Sequence, residues 1–322
     1  MSAMQSALPQ LAAIREAQQL LAKCFSPTPL VKAPSLDSDG VEVFLKNETV
    51  LPTNSFKPRG AIYALTKSLE RGRVHEIVAS STGNHGAAVA YAAKTLGVKA
   101  TIFLPENPNP VKRKKIEDLG ARIICNGSID LAGASQAASE YAKRPGVYFL
   151  NDATDPDLPT GPATIAVEIL EQLPNVSAVY VPMGDTALIR GIGGAIKQVS
   201  PKTRIIGVQA EQAPSYVLSW RAGKPLPTET CDTIADGLAT RTPEPENVAA
   251  IREVVDDVVL VSEEQMIEAI RRLYTGEKIV AEPSGAAATA GFLAKPASGR
   301  IALVVSGGNI SPEIRERVGI PG

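Results

Sequence analysis

The sequence predicts an α/β protein with two lobes, each an open, mostly parallel sheet with helices on both faces. Short β-branched segments alternate with helical segments along almost the whole chain, which is the pattern of βαβ units. Several predicted strands are uninterrupted apolar runs, as parallel strands covered on both faces require. The 322 residues exceed what one ordinary hydrophobic core encloses, so a second lobe is expected.

The first predicted element is an amphipathic helix near the N-terminus. Leu11, Ile14 and Leu21 recur there with helical spacing, and the segment lacks the basic stretch and continuous apolar core of a signal peptide. Apolar and β-branched runs then predict the strands. They are Val41–Leu45, Glu76–Ala79, Ala100–Phe103, Arg122–Cys125, Val147–Phe149, Ala178–Val181, Arg204–Val208, Val258–Val261 and Ile301–Val305.

Helical segments lie between these strands and complete the alternation. Ser262 and Gln265 have the spacing of a capping box at the start of one of them. The predicted helices are Arg59–Leu69, Gly86–Leu96, Pro110–Leu119, Ile129–Lys143, Pro162–Leu173, Leu188–Val199, Glu263–Tyr274 and Ser284–Ala294. Two regions interrupt the pattern: Pro156–Pro162 is expected to cross between the lobes, and the proline-rich Pro214–Asn247 to be a structured excursion over the surface.

The charge balance argues against nucleic acid and membrane partners. Lys and Arg total 33 and Asp and Glu total 34, so the formal net charge is −1 and no strong field for phosphate backbones or anionic lipids results. Three widely spaced cysteines without a C-x-x-C motif indicate a reducing compartment, and we predict a cytoplasmic protein.

The scarcity of histidine and cysteine restricts the chemistry. With two histidines and three cysteines, a zinc site built on these ligands is close to excluded. A Ser-His-Asp hydrolase is disfavoured as well, since no G-x-S-x-G elbow occurs. Demanding chemistry would therefore need a cofactor, a lysine or carboxylates.

Three glycine-marked turns follow predicted strands, where ligands collect in open α/β sheets. The turn Ser80–Gly86 carries hydroxyls, an amide and free backbone N–H groups that suit a carboxylate or phosphate, although it also suits a simple helix cap. The turn Met183–Leu188 lies in a unit that mimics a dinucleotide site but lacks G-x-G-x-x-G. The third turn begins at Ser306, which is equally compatible with a satisfied core hydroxyl.

Lys57 stands apart from the other basic residues. It lies between Phe56 and Pro58 at the start of a predicted helix. A lysine there is usually a solvated charge, yet the apolar flanks would desolvate the amine and favour a nucleophile or base.

Taken together, these segments resemble the pyridoxal-phosphate enzymes of the tryptophan-synthase-β-like fold, in the serine/threonine dehydratase and serine racemase family. The resemblance spans nearly the whole chain, from SPTPLVKAPSL to SGGN, through SFKPRGA, STGNHG, TIADGLA and EPSGAA in the family's order. It implies pyridoxal 5'-phosphate as the cofactor, an amino acid as the substrate and a homodimer. We assign residues 1–75 plus 151–322 to a large cofactor-binding domain and residues 76–150 to a small domain.

The resemblance also implies roles for individual residues. Lys57 would hold the cofactor and take the Cα proton of the substrate, with Ser81 and Thr82 as further catalytic groups, and the cofactor phosphate would protonate the departing β-hydroxyl. The implied substrate-binding residues are Ser81, Thr82, Asn84 and His85. The implied cofactor-binding residues are Phe56, Lys57, Asn84, Gly184, Asp185, Thr186, Ala187, Leu188, Glu282 and Ser306.

The sequence departs from the family pattern in three places. The phosphate loop, usually four glycines before leucine, reads Gly184-Asp185-Thr186-Ala187-Leu188, and each added side chain would cost about 1–2 kcal/mol if its φ were positive. We expect Asp185 to point away from the phosphate. Gln209 and Ser215 stand where relatives carry acidic metal ligands, so no strong metal site is predicted. Thr82 keeps a hydroxyl where racemases of the group have serine.

The main hypothesis is an ammonia-lyase (dehydratase) that converts a β-hydroxy amino acid to a 2-oxo acid and ammonia. The substrate would be serine, threonine or a relative such as 3-hydroxyaspartate or phenylserine. Two alternatives remain: an amino-acid racemase of the same fold, and a catalytically silent amino-acid-binding homologue whose altered phosphate loop no longer holds the cofactor.

Overall fold

The computed structural model describes residues 8–108, 110–125, 127–128 and 130–321. Its strands are β1 (Leu30–Lys32), β2 (Val41–Asn47), β3 (Glu76–Ser80), β4 (Lys99–Leu104), β5 (Arg122–Cys125), β6 (Val147–Phe149), β7 (Ala178–Pro182), β8 (Arg204–Ala210), β9 (Asp257–Val261) and β10 (Gly299–Val305). Its helices are α1 (Leu11–Leu21), α2 (Lys57–Arg71), α3 (Asn84–Leu96), α4 (Pro110–Asp118), α5 (Leu131–Tyr141), α6 (Thr160–Gln172), α7 (Ala187–Val199), α8 (Ser215–Ala222), α9 (Pro245–Val254), α10 (Glu263–Glu277), α11 (Pro283–Ala294) and α12 (Pro312–Arg317).

The strands form two sheets. One has six strands in the order β1-β2-β10-β7-β8-β9 and is parallel except where β1 pairs with β2. The other has four parallel strands in the order β5-β4-β3-β6. The predicted α/β class with parallel sheets is confirmed. The division at residues 75/76 and 150/151 stays a prediction, although the four-stranded sheet is formed by strands between Glu76 and Phe149.

Helices cover both faces of the six-stranded sheet. Ile267 and Ala287, on α10 and α11, pack in the core on one face, and Ile189 and Ile251, on α7 and α9, pack on the other. The glycines of α7 permit close packing, as expected: a Cβ atom on Gly191 would lie 2.4 Å from the carbonyl oxygen of Pro159, at the start of α6.

Every predicted strand is present, but four elements were not predicted. The strand β1 pairs antiparallel with β2 at the edge of the sheet, and its three residues are too few to show a hydrophobic periodicity. The helix α8 lies within the proline-rich excursion and α9 begins at its end, with Pro245 in the first turn, where proline needs no hydrogen-bonding N–H. The helix α12 has six residues. The predicted start of one helix at Ile129 lies outside the described residues.

The carboxyl ends of β3, β7 and β10 each lead into one of the three glycine-marked turns, at Ser80, Pro182 and Val305. In the described part of the chain, no helix has both the length and the apolar character needed to cross a bilayer.

Candidate active site

The segment that carries Lys57 is bound to the end of β10. The backbone N–H of Phe56 donates to the carbonyl of Ser306 at 3.0 Å, and Ser55 forms an antiparallel bridge with Gly307. Lys57 is the first residue of α2, followed by Pro58, whose fixed φ suits a helix start. Two residues that the sequence separates by about 250 positions, Lys57 and Ser306, are thereby neighbours in the fold.

A buried ion cluster holds the start of α2 in place. The guanidinium of Arg59 donates to Glu48 Oε2 at 2.8 Å and to Glu168 Oε1 at 2.6 Å, and Lys46 Nζ lies 2.6 Å from Glu168 Oε2. All four side chains are buried. A buried charge is tolerated only when it is paired and hydrogen-bonded, so this arrangement fixes Arg59 and, two residues before it, Lys57.

The amine of Lys57 meets a carboxylate instead of purely apolar surroundings. Its side chain is 18% exposed, its Nζ lies 5.3 Å from the centre of the Phe56 ring, and it is ion-paired with Asp152 Oδ2. Sequence reasoning missed Asp152. It lies three residues beyond the end of β6, so the same rule about strand ends that selected the other turns would have found it.

Asp152 stays ionised despite its burial. Burial by itself would raise the pKa of the Asp152 carboxyl, but its interactions with Lys57 and, more weakly, with Arg190 hold that pKa below its usual value. Its second oxygen, Oδ1, lies 3.4 Å from His85 Nδ1, and within the described part of the chain this oxygen accepts no hydrogen bond.

The turn after β3 presents polar groups at the start of α3. Ser81 and Thr82 are half-buried, and the hydroxyl of Ser81 accepts from the N–H of Gly83 at 3.2 Å. His85 is buried, and its Nε2 lies 3.0 Å from the carbonyl oxygen of Leu150, so this nitrogen carries the hydrogen. The imidazole is therefore held by the segment that follows β6.

Asn84 connects this turn to the end of β10. Its Nδ2 donates to Glu282 Oε1 at 2.6 Å, and its Oδ1 accepts from Asn309 Nδ2 at 2.6 Å. The N–H of Glu282 donates to the carbonyl of Gly307 at 3.0 Å. The buried hydroxyl of Ser306 lies 3.5 Å from the carbonyl of Ser284. The structure thus brings together the residues predicted from the STGNHG, EPSGAA and SGGN segments.

The altered phosphate loop, residues 184–188, contains one strained residue. All five residues are described, and only Thr186 has a positive φ, 72°. A Cβ atom on Gly184 would lie 2.0 Å from the carbonyl oxygen of Gly237, so this first position requires glycine. Ala187 and Leu188 are buried in the first turn of α7. The cost anticipated at three positions therefore falls on Thr186 alone, at about 1–2 kcal/mol.

Two charged side chains flank this loop. Asp185 Oδ1 accepts from the hydroxyl of Thr240 at 2.9 Å, and burial together with the neighbouring Asp152 carboxylate raises the pKa of the Asp185 carboxyl. Arg190, which sequence reasoning also missed, donates from Nε to the hydroxyl of Thr186 at 3.0 Å. Burial lowers the pKa of the Arg190 guanidinium to about 10, so it stays charged at neutral pH.

The donor set fits a phosphorylated pyridine aldehyde. Lys57 supplies a partly exposed primary amine for the aldehyde, and the Thr186–Leu188 segment begins a helix whose free N–H groups suit a dianionic phosphate. Ser306 supplies a neutral hydroxyl for a ring nitrogen and Asn84 an amide for a phenolic oxygen. The left-handed Thr186 at the head of α7 is the strain expected of a functional turn.

The two positions at which the family resemblance implied acidic metal ligands are occupied by neutral groups. Gln209 is buried and its Oε1 accepts from the N–H of Val217 at 2.9 Å, while the hydroxyl of Ser215 donates to the carbonyl of Thr240 at 2.5 Å. Among the described residues, no three His, Cys, Asp or Glu side chains gather as a metal site would require.

Comparison with known proteins identifies the family and the fold. The family model described as pyridoxal-phosphate dependent enzyme matches residues 21–307. An L-threonine ammonia-lyase of Thermotoga maritima is 37% identical over 308 residues, which are 95% of this chain and 77% of that protein. An L-threonine ammonia-lyase of Geobacter sulfurreducens is 35% identical over 92% of this chain and 75% of its own length. Maize serine racemase superposes with a TM-score of 0.90 at 29% identity, covering 96% of each chain.

Proposed function

Because the chain belongs to the pyridoxal-phosphate-dependent enzymes of fold type II, we propose that it is an ammonia-lyase acting on a β-hydroxy amino acid, with threonine and serine as the first substrates to test. The observation that carries the proposal is the position of the Lys57 amine, held at the end of β10 by the Phe56–Ser306 hydrogen bond within a site that also contains the anion-binding turn at Ser81–Asn84. Relatives at 35–37% identity are named for threonine ammonia-lyase activity.

The cofactor, when bound, supplies the electron sink that acidifies the Cα–H bond of an amino acid. The chain supplies orientation and proton transfer. The N–H groups and hydroxyls of Ser81, Thr82 and Asn84 bind the substrate carboxylate, which turns the Cα–H bond toward Lys57. The Lys57 amine accepts the Cα proton, because it is the basic group at the centre of the site.

The surroundings of Lys57 favour this role. Asp152 attracts the protonated amine through its Oδ2, so the ammonium that forms after proton transfer is stabilised where it forms. Ser306 is neutral and buried, so its hydroxyl would hold the ring nitrogen of the cofactor without placing a charge beside it. Such a neutral partner would favour elimination of the β-hydroxyl over other reactions at Cα.

The test is an assay of 2-oxo acid release from L-serine, L-threonine, phenylserine and 3-hydroxyaspartate by the holoenzyme. We expect release from at least one of the neutral substrates and none from the Lys57→Ala variant. Silence of the wild-type protein across the panel would refute the proposal. An absorbance band of the bound cofactor that is present in the wild type and absent from Lys57→Ala would exclude a silent homologue that no longer binds it.

Racemization is the second candidate. It needs a proton donor on the face of Cα opposite Lys57, and Thr82 offers a half-buried hydroxyl in the substrate turn. The superposition on maize serine racemase supports the comparison. Chiral analysis of the remaining substrate after partial conversion distinguishes the two reactions, and loss of D-isomer formation in Thr82→Ala with elimination retained would assign racemization to this hydroxyl.

We further propose that the enzyme is a cytoplasmic homodimer. The three cysteines, all half-buried, carry free thiols in the structure, which supports a reducing compartment. Sedimentation of the holoenzyme at micromolar concentration gives its mass directly against 33.8 kDa for one chain.

A further inference from the structure

The catalytic lysine lies beside two carboxylates. Asp152 is ion-paired with Lys57, and Asp185 is close enough that its own pKa responds to both Asp152 and Lys57. The second nearby cation, Arg190, donates from Nε to Thr186 and from Nη2 to the carbonyl of Ala153, so at least these two donors face the phosphate loop and the β6 side. The Lys57 amine therefore has the Asp152 carboxylate directly beside it.

Asp152 Oδ1 is prepared to accept a hydrogen bond. The oxygen is buried, accepts no hydrogen bond from the described residues and lies 3.4 Å from His85 Nδ1. A buried acceptor without a donor is costly, and such an atom in a native site calls for a partner. Once Lys57 is joined to the cofactor it is no longer an ammonium with three donors, so Oδ2 also loses part of its pairing.

The position of Asp152 places this acceptor near the substrate's side chain. In a substrate whose Cα proton faces the Lys57 amine, the β-carbon is bonded to that same Cα. Asp152 contacts the Lys57 amine, so it lies on the same side of the substrate. The β-substituent is then within reach of a carboxylate that remains ionised.

We propose that Asp152 determines substrate specificity by accepting a hydrogen bond from the β-hydroxyl and by repelling a β-carboxylate. The inference rests on the proposed function and narrows it: neutral β-hydroxy amino acids such as serine and threonine are selected, and 3-hydroxyaspartate is rejected. Two like charges at hydrogen-bond distance in a partly buried site disfavour binding strongly.

A pair of ligands that have no β-hydroxyl to eliminate tests the repulsion by binding alone. L-asparagine and L-aspartate are nearly isosteric and differ by one negative charge on the side chain. Calorimetric titration of the wild-type holoenzyme should show L-asparagine bound at least about tenfold more tightly, the ratio that corresponds to about 1.4 kcal/mol. In Asp152→Asn the ratio should fall to about threefold or less, and Asp152→Glu should retain the wild-type preference.

Asp157→Asn is the matched control. Asp157 follows five residues later, has the same 20% side-chain exposure and pairs with Arg71 instead of Lys57, so the wild-type ratio should persist. Equal binding of the two ligands by the wild type, or an unchanged ratio in Asp152→Asn, would overturn the proposal.

Kinetics separate this inference from the proposed function. If serine and 3-hydroxyaspartate are converted equally well, the function stands and the role of Asp152 falls. If no hydroxy amino acid is converted, the proposed function falls, while the binding ratio still decides whether Asp152 excludes a negative side chain. Should Asp152→Asn fail to fold, the wild-type ratio alone remains decisive.

Discussion

The guanidinium of Arg190 donates to the hydroxyl of Thr186 across one turn at the beginning of α7, with 3.0 Å between Nε and Oγ1. This contact joins the one left-handed residue of the phosphate loop to a buried cation. The hydroxyl oxygen is occupied as an acceptor, so its hydrogen is directed elsewhere and is available to an anion at the loop. Thr186, which replaces a glycine of the loop, thus adds a hydroxyl donor, and Arg190 of α7 places a positive charge beside it.

Removal of this cation should weaken cofactor binding. Arg190→Leu abolishes both the charge behind the loop and the contact that orients Thr186, and we expect the dissociation constant of pyridoxal phosphate to rise at least about tenfold, a loss of about 1.4 kcal/mol. Titration of the apoenzyme followed by cofactor absorbance measures it. Lys197→Leu, on the same helix but paired with Asp256 outside the site, should leave the constant unchanged. An equal effect of both substitutions would contradict the assignment.

The close approach of Gly86 to the substrate turn offers a steric test. A Cβ atom at this position would lie 2.3 Å from the carbonyl oxygen of Ser81, so Gly86→Ala must displace the turn that presents Ser81 and Thr82. We expect a rise in KM of at least about tenfold, because a carboxylate site displaced by even 1 Å loses its alignment. At Gly72, which follows the end of α2, an added Cβ meets nothing within 4 Å, and Gly72→Ala should leave KM unchanged.

Much of this site was predictable because local sequence patterns mark its residues. Lys57, Asn84 and Ser306 lie in glycine- or proline-marked turns next to clear strands and helices, and parallel strands bring such turns to one edge. Asp152 also follows a strand, but no glycine or proline adjoins it, and Arg190 is in the interior of a helix. Their importance arises from contacts between distant segments, which periodicity does not report.

The same reason explains the missed fold elements. The helix α8 and the start of α9 lie in a proline-rich region where local signals conflict, and tertiary packing decides the outcome: Val217 and Ile251 are fully buried against the six-stranded sheet. The core strands were predicted because an uninterrupted apolar run, such as β7, indicates a strand that is buried on both faces.

The buried ion cluster should be expensive to disrupt from one side. Glu168→Gln leaves Arg59 and Lys46 with one negative partner, Glu48, and we expect the free energy of unfolding to fall by about 3–5 kcal/mol. Glu70→Gln is the control, since Glu70 pairs with Lys67 on the surface and exposed pairs contribute about 1 kcal/mol or less. Urea unfolding of the two variants measures both free energies. Similar losses would show that the buried cluster contributes no more to stability than an exposed ion pair.

The Glu168 carboxyl should also contribute to the loss of stability at acid pH. Burial alone would raise the pKa of this carboxyl, but Arg59 and Lys46 lower it below its ordinary value of 4.5. The folded state therefore releases the proton more readily than the unfolded state, so the stabilisation is complete above pH 4.5 and is lost as the pH falls through the folded-state pKa. Unfolding free energies measured from pH 6 down to about pH 3 should decline steeply in the wild type. In Glu168→Gln the decline should be shallower, because the substituted side chain binds no proton in either state, and parallel curves for the two proteins would assign the acid sensitivity to other carboxylates.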